Sequence, residues 1–171
     1  MLLFLVRHAQ AESATGPSAA ADANRALTAA GRDQASALAQ AFVDLDLHAD
    51  AIWTSPCERA RQTSAAMAAA TGNPHVREEP ALTPPGDFDQ LRTALDASVL
   101  DAVVLVGHQP FLGQCAGYCA LGRAHPGLAL AEATLVCLVG PGLRPGNSSI
   151  DFVLNQRICR SLRAARERTT A

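Results

Sequence analysis

Three short apolar runs, each breaking off into residues that carry chemistry, constrain this chain more than any other feature. Leu2-Leu3-Phe4-Leu5-Val6 ends in Arg7-His8; Asp50-Ala51-Ile52-Trp53-Thr54 ends in Ser55-Pro56-Cys57-Glu58-Arg59; Ala102-Val103-Val104-Leu105-Val106-Gly107 ends in His108-Gln109-Pro110. Runs this short and uniformly apolar suit strands covered on both faces, as in parallel sheets flanked by helices. Between them the periodicity changes. Ala35, Leu38, Ala39, Phe42 and Val43 form a helical stripe behind Thr28 as N-cap, predicting a helix from about Leu27–Gly31 to Leu45. Ser55 as N-cap, Pro56 at N1 and Glu58 at N3 read as a capping box for a helix that stops at Thr71-Gly72-Asn73-Pro74.

The remaining elements follow the same logic. Residues 13–24 are small and polar and read as a loop, and His75–Glu79 as a short edge strand. After the turn Thr83-Pro84-Pro85-Gly86-Asp87, helices are expected from Phe88 to Ala97 and from Pro110 to about Leu121. Thr134–Val139 and Ile150–Leu154 read as strands joined by Gly140–Gly146, whose prolines and place between strands make it a hairpin connection rather than a nucleotide cradle. An arginine-rich helix from about Asn155 closes the chain. The expected fold is α/β: a three-layer α/β/α sandwich, with a mainly parallel central sheet and helices on both faces, in one domain over residues 1–171.

Composition narrows the chemistry by exclusion. All fourteen basic residues are arginine, so a P-loop lysine, a Schiff-base lysine and a pyridoxal-phosphate site are ruled out. Arginine is left as the sole cation for gripping a substrate, and guanidinium suits bidentate contact with phosphate or carboxylate. A formal net charge of -2 gives no global pull toward nucleic acid or membrane. No apolar run approaches a membrane span. Met1–Val6 lacks a basic n-region and is interrupted by Arg7, so it does not read as a signal peptide. Five cysteines (57, 115, 119, 137, 159) without CxxC spacing suit a reducing cytoplasm, with Cys115 and Cys119 packed in the core one helical turn apart. The five histidines (8, 48, 75, 108, 125) show no HxH or HExxH spacing, so no metal is expected. Abundant Ala and Arg point to a GC-rich bacterial genome.

In a sheet with right-handed crossovers the three strand ends share one edge, where open α/β sheets bind ligands. Arg7-His8 taken alone also reads as a strand ending at the surface, and Arg59 as a solvated helix arginine. Together, two arginines, two histidines and a helix N-terminus fit an anion with several equatorial oxygens, of which phosphate is the obvious one. One histidine could attack phosphorus while the arginines and the other histidine neutralise the transferring oxygens.

Four stretches taken in order resemble the histidine phosphatase (phosphoglycerate mutase-like) superfamily: Leu5-Val6-Arg7-His8-Ala9, Asn24-Arg25-Ala26-Leu27-Thr28-Ala29-Ala30-Gly31, Ser55-Pro56-Cys57-Glu58-Arg59-Ala60-Arg61-Gln62-Thr63 and Val106-Gly107-His108-Gln109-Pro110. The resemblance implies that His8 is the nucleophile and forms a phosphohistidine. It implies that Arg7 and Arg59 bind the phosphoryl group, with Ser55 beside them, that His108 is the second pocket histidine, and that no metal or organic cofactor takes part. Two departures bear on function. Ala9 stands where the family usually has glycine, tolerable if the backbone there is ordinary. The mutase and phosphomonoesterase branches carry a glutamate proton donor after the third strand, where this chain reads Ala81-Leu82-Thr83-Pro84-Pro85-Gly86-Asp87, with Pro84 in its place.

That loss, and the short chain, resemble the SixA branch, the protein phosphohistidine phosphatases. The expected partner is a phosphohistidine protein, in the cytoplasm, and neither nucleic acid nor a membrane. Asp87, Glu78 or Glu79 could still supply a proton, which would favour a phosphomonoesterase for a small phosphorylated metabolite. A non-catalytic phosphate- or phosphoprotein-binding module is the alternative from another class, and mutase activity is disfavoured by the scarcity of material for a lid.

Overall fold

In the computed structural model, which describes residues 1–125 and 128–169, the three apolar runs are strands β1 (Leu2–Arg7), β2 (Ala51–Thr54) and β4 (Ala102–Gly107). With β3 (Val76–Glu78), β5 (Leu135–Val139) and β6 (Ser149–Leu154) they form one six-stranded sheet in the order β3-β2-β4-β1-β5-β6. β3, β2, β4 and β1 pair in parallel, while β5 pairs antiparallel with both β1 and β6 and alone runs against the rest.

Strand alternation sorts the apolar residues into two cores. Phe4, Val6, Ile52, Val104 and Val106 face one side, against Leu38 and Phe42 of α2 (Ala29–Asp44), Met67 of α3 (Glu58–Thr71) and Cys159 of α6 (Gln156–Thr169). Leu3, Leu5, Trp53, Val103 and Leu105 face the other, against Leu91 and Leu95 of α4 (Phe88–Asp96) and Leu112, Cys115 and Cys119 of α5 (Phe111–Leu121). Each fully buried Leu, Ile, Val or Phe contributes about 1.5–3 kcal/mol. Cys115 and Cys119 are thus core residues, and all five cysteines are buried and free. Among the described residues, no helix is long and apolar enough to cross a membrane.

Three local expectations are corrected. The stretch read as a loop, residues 13–24, contains a short helix, α1 (Ala19–Ala23), capped by Ser18 Oγ accepting from the Ala21 N–H. It buries no residue, so it has no apolar stripe by which to recognise it. The capping box at Ser55 does not form: α3 starts at Glu58 with Cys57 as N-cap and no side-chain cap bond. Ser55 instead still belongs to the sheet edge, its N–H donating to the Val106 carbonyl at 2.9 Å. Pro110 is the N-cap of α5 rather than its first residue. Thr28, by contrast, caps α2 as expected, its Oγ1 accepting from the Gly31 N–H.

The topology places the site. β1 and β4 are neighbours, but the chain leaves β1 toward α2 on one face and leaves β4 toward α5 on the other. Adjacent strands whose connections diverge leave a crevice at their carboxyl ends. The first turn of α2 braces the segment that enters it. Gln10 O accepts from the Thr28 N–H at 3.1 Å, and the Gln10 N–H donates to Gln34 Oε1 at 3.0 Å. A methyl group at Gly31 would overlap the Gln10 carbonyl oxygen. Gly31→Ala should therefore destabilise the protein by roughly 1–3 kcal/mol through overpacking against backbone. A denaturant titration checks this, and an unchanged midpoint would contradict it.

Candidate active site

Sheet register sets the site's geometry. Arg7 pairs with Gly107 in the β1–β4 ladder, so His8 and His108 emerge side by side at the same level. The His8 N–H donates to the Gly107 carbonyl at 3.0 Å, and the two imidazole centroids are 5.0 Å apart. One strand further on, Ser55 Oγ lies 2.8 Å from His108 Nε2 and accepts from the Cys57 N–H at 3.3 Å. Arg59, on the first turn of α3, reaches back over the crevice and is 3% exposed. Its Nε–H donates to His8 Nε2 at 3.2 Å. Arg7 is anchored by Nη1 donating to the Leu130 carbonyl at 2.7 Å. His8, Arg59, His108 and Ser55 are thus in direct contact as a chain of neighbours, with Arg7 beginning next to them.

The hydrogen bonds assign the tautomer of His8. Nε2 accepts from Arg59, so the ring proton sits on Nδ1, which donates to the Ala9 carbonyl at 2.7 Å. The Nε2 lone pair is left facing the guanidinium, where an anion would bind. Ala9 is buried, is not among the residues with positive φ, and donates its N–H to Thr63 Oγ1, so the extra methyl is accommodated.

Burial and surrounding cations keep both imidazoles neutral. Desolvation lowers the His8 pKa to about 4; the Ala9 hydrogen bond opposes this, and Arg59, Arg7 and Arg25 reinforce it. Desolvation also lowers His108 to about 3, with Arg59 and His8 adding to the shift. An unfolded histidine takes up its proton near 6.5. Between that pH and the folded values the unfolded state binds more protons, so stability rises with pH and is lost as pH falls from about 6.5 toward 4. At ~1.4 kcal/mol per unit, His8 alone accounts for roughly 3 kcal/mol at the full extent of this loss. Urea unfolding at pH 7 and pH 4.5 checks this; a flat profile would contradict it, and His8→Ala should flatten it in part.

The acids expected as alternative proton donors are engaged by partners outside the His8–Arg59–His108–Ser55 group. Asp87 caps α4, its Oδ1 accepting from the Gln90 N–H. Glu79 is 4% exposed and is tied to Arg77 at 2.6 Å and to the Ala81 N–H at 3.1 Å. Glu78 is half exposed and faces Arg61 at 3.5 Å. The carboxylate that does reach the site is Asp22, on α1. Its main-chain carbonyl accepts from Arg59 Nη1 at 2.6 Å and its Oδ2 from Nη2 at 3.1 Å, while Oδ1 lies 3.0 Å from Arg25 Nε. Partial desolvation works against its charge, but Arg59 and Arg25 outweigh this and hold the carboxyl below its usual pKa.

Neither Asp22 nor Arg25 is singled out by sequence pattern as a site residue. Asp22 sits in a run of alanines without periodicity, and the only local signal is its i,i+3 spacing to Arg25. Among the described residues, the buried side-chain polar atoms without a hydrogen-bond partner are Arg7 Nε, Arg25 Nε, His108 Nδ1 and Thr134 Oγ1. Arg25 Nε is near Asp22 in distance but not aligned as a donor. All four belong to residues at this edge of the sheet, where an oxyanion would find donors to satisfy. No group of three or more His, Cys, Asp or Glu among the described residues could hold a metal ion.

Comparison with known proteins agrees with this geometry. The sequence profile of the histidine phosphatase superfamily (branch 1) matches residues 3–114. An uncharacterized protein of Picosynechococcus sp. is 37% identical over 153 residues, which is 88% of each chain. The structure of the protein histidine phosphatase SixA complexed with tungstate superposes with a TM-score of 0.78 at 23% identity, covering 92% of this chain and 98% of that one. A protein assigned as the phosphohistidine phosphatase SixA of Nakamurella multipartitia superposes with a TM-score of 0.69 at 28% identity, covering 90% and 95%. The profile match spans well over half the residues and takes in every strand end that builds the crevice, and the chain belongs to the histidine phosphatase superfamily.

Proposed function

We propose that this protein, acting as one domain, hydrolyses protein phosphohistidine through a phosphorylated His8. The observation that carries the reading is a pocket with a prepared nucleophile and no available proton donor. His8 Nε2 is unprotonated, while Asp87, Glu78 and Glu79 are engaged elsewhere and Asp22 is held ionised. An alkoxide is a poor leaving group unless an acid protonates it, whereas the imidazole of phosphohistidine departs readily and can take its proton from water.

In the first step the His8 Nε2 lone pair attacks phosphorus in line. The Nε2–P bond forms and the substrate N–P bond breaks, its electron pair staying on the departing imidazole, which takes up a proton. Arg59, Arg7 and His108 meet the equatorial oxygens, with Ser55 orienting His108. In the second step a water oxygen attacks phosphorus, the Nε2–P bond breaks, and inorganic phosphate and one proton are released. The test is a side-by-side rate on a phosphohistidine protein and on an alkyl phosphate such as phosphoglycerate. The phosphohistidine protein should be the faster substrate; equal rates would replace this reading with a metabolite phosphatase.

A further inference from the structure

Asp22 has no part in the scheme above, yet it occupies the face of Arg59 that a phosphoryl group needs. Both terminal nitrogens of that buried guanidinium are taken by this one residue, Nη1 by its main-chain carbonyl and Nη2 by carboxylate Oδ2, and the other carboxylate oxygen lies against Arg25. A carboxylate bridging two guanidiniums presents its oxygens much as an oxyanion does. It is also tethered, since it comes from the same chain and its local concentration on Arg59 is high. The element carrying it has no core packing to hold it in place: α1 is five residues long and none of its residues is buried.

We propose that Asp22 is a specificity-determining residue of the phosphoryl site, a tethered anion that holds Arg59 until an incoming phosphoryl group displaces it. The inference rests on the phosphatase reading of the same pocket. A phosphoryl dianion brings more charge than the carboxylate and a third oxygen for Arg7 and His108, so it can win the exchange. A singly charged carboxylate ligand offers Arg59 nothing that Asp22 does not already supply. After hydrolysis the returning carboxylate competes with inorganic phosphate for Arg59 and favours product release. The Arg25 contact gives the displaced carboxylate a cation to stay on, so the exchange does not strand a charge.

The experiment is a calorimetric titration of inorganic phosphate into wild type, Asp22→Asn, Asp22→Ala and Asp22→Glu, paired with kcat and KM on p-nitrophenyl phosphate. If the tethered form dominates without ligand, the apparent phosphate affinity of wild type is reduced by that occupancy. Asp22→Asn and Asp22→Ala should then bind phosphate about tenfold tighter or more, with lower KM and stronger product inhibition. Asp22→Glu keeps the charge and should stay close to wild type. Unchanged or weaker phosphate binding in the Asn and Ala variants would overturn the proposal, because a residue that merely positions Arg59 would weaken binding when removed. A fall in kcat with phosphoenzyme accumulating and phosphate affinity unchanged would also overturn it, in favour of an acid–base role. These outcomes do not depend on whether phosphohistidine is the preferred substrate. Failure of all four proteins both to bind phosphate and to hydrolyse p-nitrophenyl phosphate would instead refute the phosphatase reading itself.

Discussion

Turnover in His8→Ala is expected to fall by at least about 10⁴-fold on every substrate, since removal of a nucleophile ranks among the largest single-residue effects in enzymes. The variant should remain folded. The backbone bonds of residue 8, from its N–H to Gly107 O and from the Ala133 N–H to its carbonyl, do not involve the imidazole. The imidazole's own hydrogen bonds, to Ala9 O and from Arg59 Nε, are confined to the pocket, and losing a buried group that resists protonation relieves the folded state at acid pH. Wild-type enzyme quenched during turnover should carry one phosphoryl group that is labile to acid and stable to alkali, as a phosphoramidate is, and His8→Ala should carry none. Wild-type turnover in His8→Ala, or label retained on the variant, would reject the role.

The second large effect is the dependence on leaving group. General acid catalysis typically contributes roughly 10²–10⁴-fold, so a site without a proton donor should favour phosphohistidine over alkyl phosphates by at least about that range. Aryl phosphates, whose phenolate departs without assistance, should fall on the fast side. Substitutions at the three displaced acids should leave the gap intact. Asp87→Asn keeps a competent N-cap on α4 and should change neither stability nor phosphohistidine rate appreciably. Glu79→Gln breaks the pairing with Arg77 and should act on stability rather than on leaving-group preference. A narrow gap between alkyl and phosphohistidine rates that widens in Asp87→Asn would identify Asp87 as a proton donor after all, and would move the assignment to a metabolite phosphatase.

Much of the molecule was already determined by the order of its residues. A strand covered on both faces must be apolar at every position, so β1, β2 and β4 announce themselves in the chain, and the polar residues that follow each must lie where the strands end. Because parallel strands share an edge, Arg7, His8, Ser55, Arg59 and His108 converge without any knowledge of side-chain geometry. The Thr28 cap, the edge position of β3 and the burial of Cys115 and Cys119 are likewise local consequences of residue type.

Only the tertiary structure decided which polar atoms pair. Ser55 looks like a helix cap by spacing, but bound into the sheet edge it meets His108, 53 residues away. Glu79 and Asp87 look available as acids until Arg77 and the α4 amides engage them. Asp22 looks like a loop residue and is brought onto Arg59, 37 residues away, by the closure of a segment with no apolar stripe. The reason is the same in each case. Hydrophobic burial is non-directional and repeats with the period of the element, so it can be read from the chain. A hydrogen bond or ion pair depends on position to within a fraction of an ångström, and that is fixed only when the whole sheet edge has assembled.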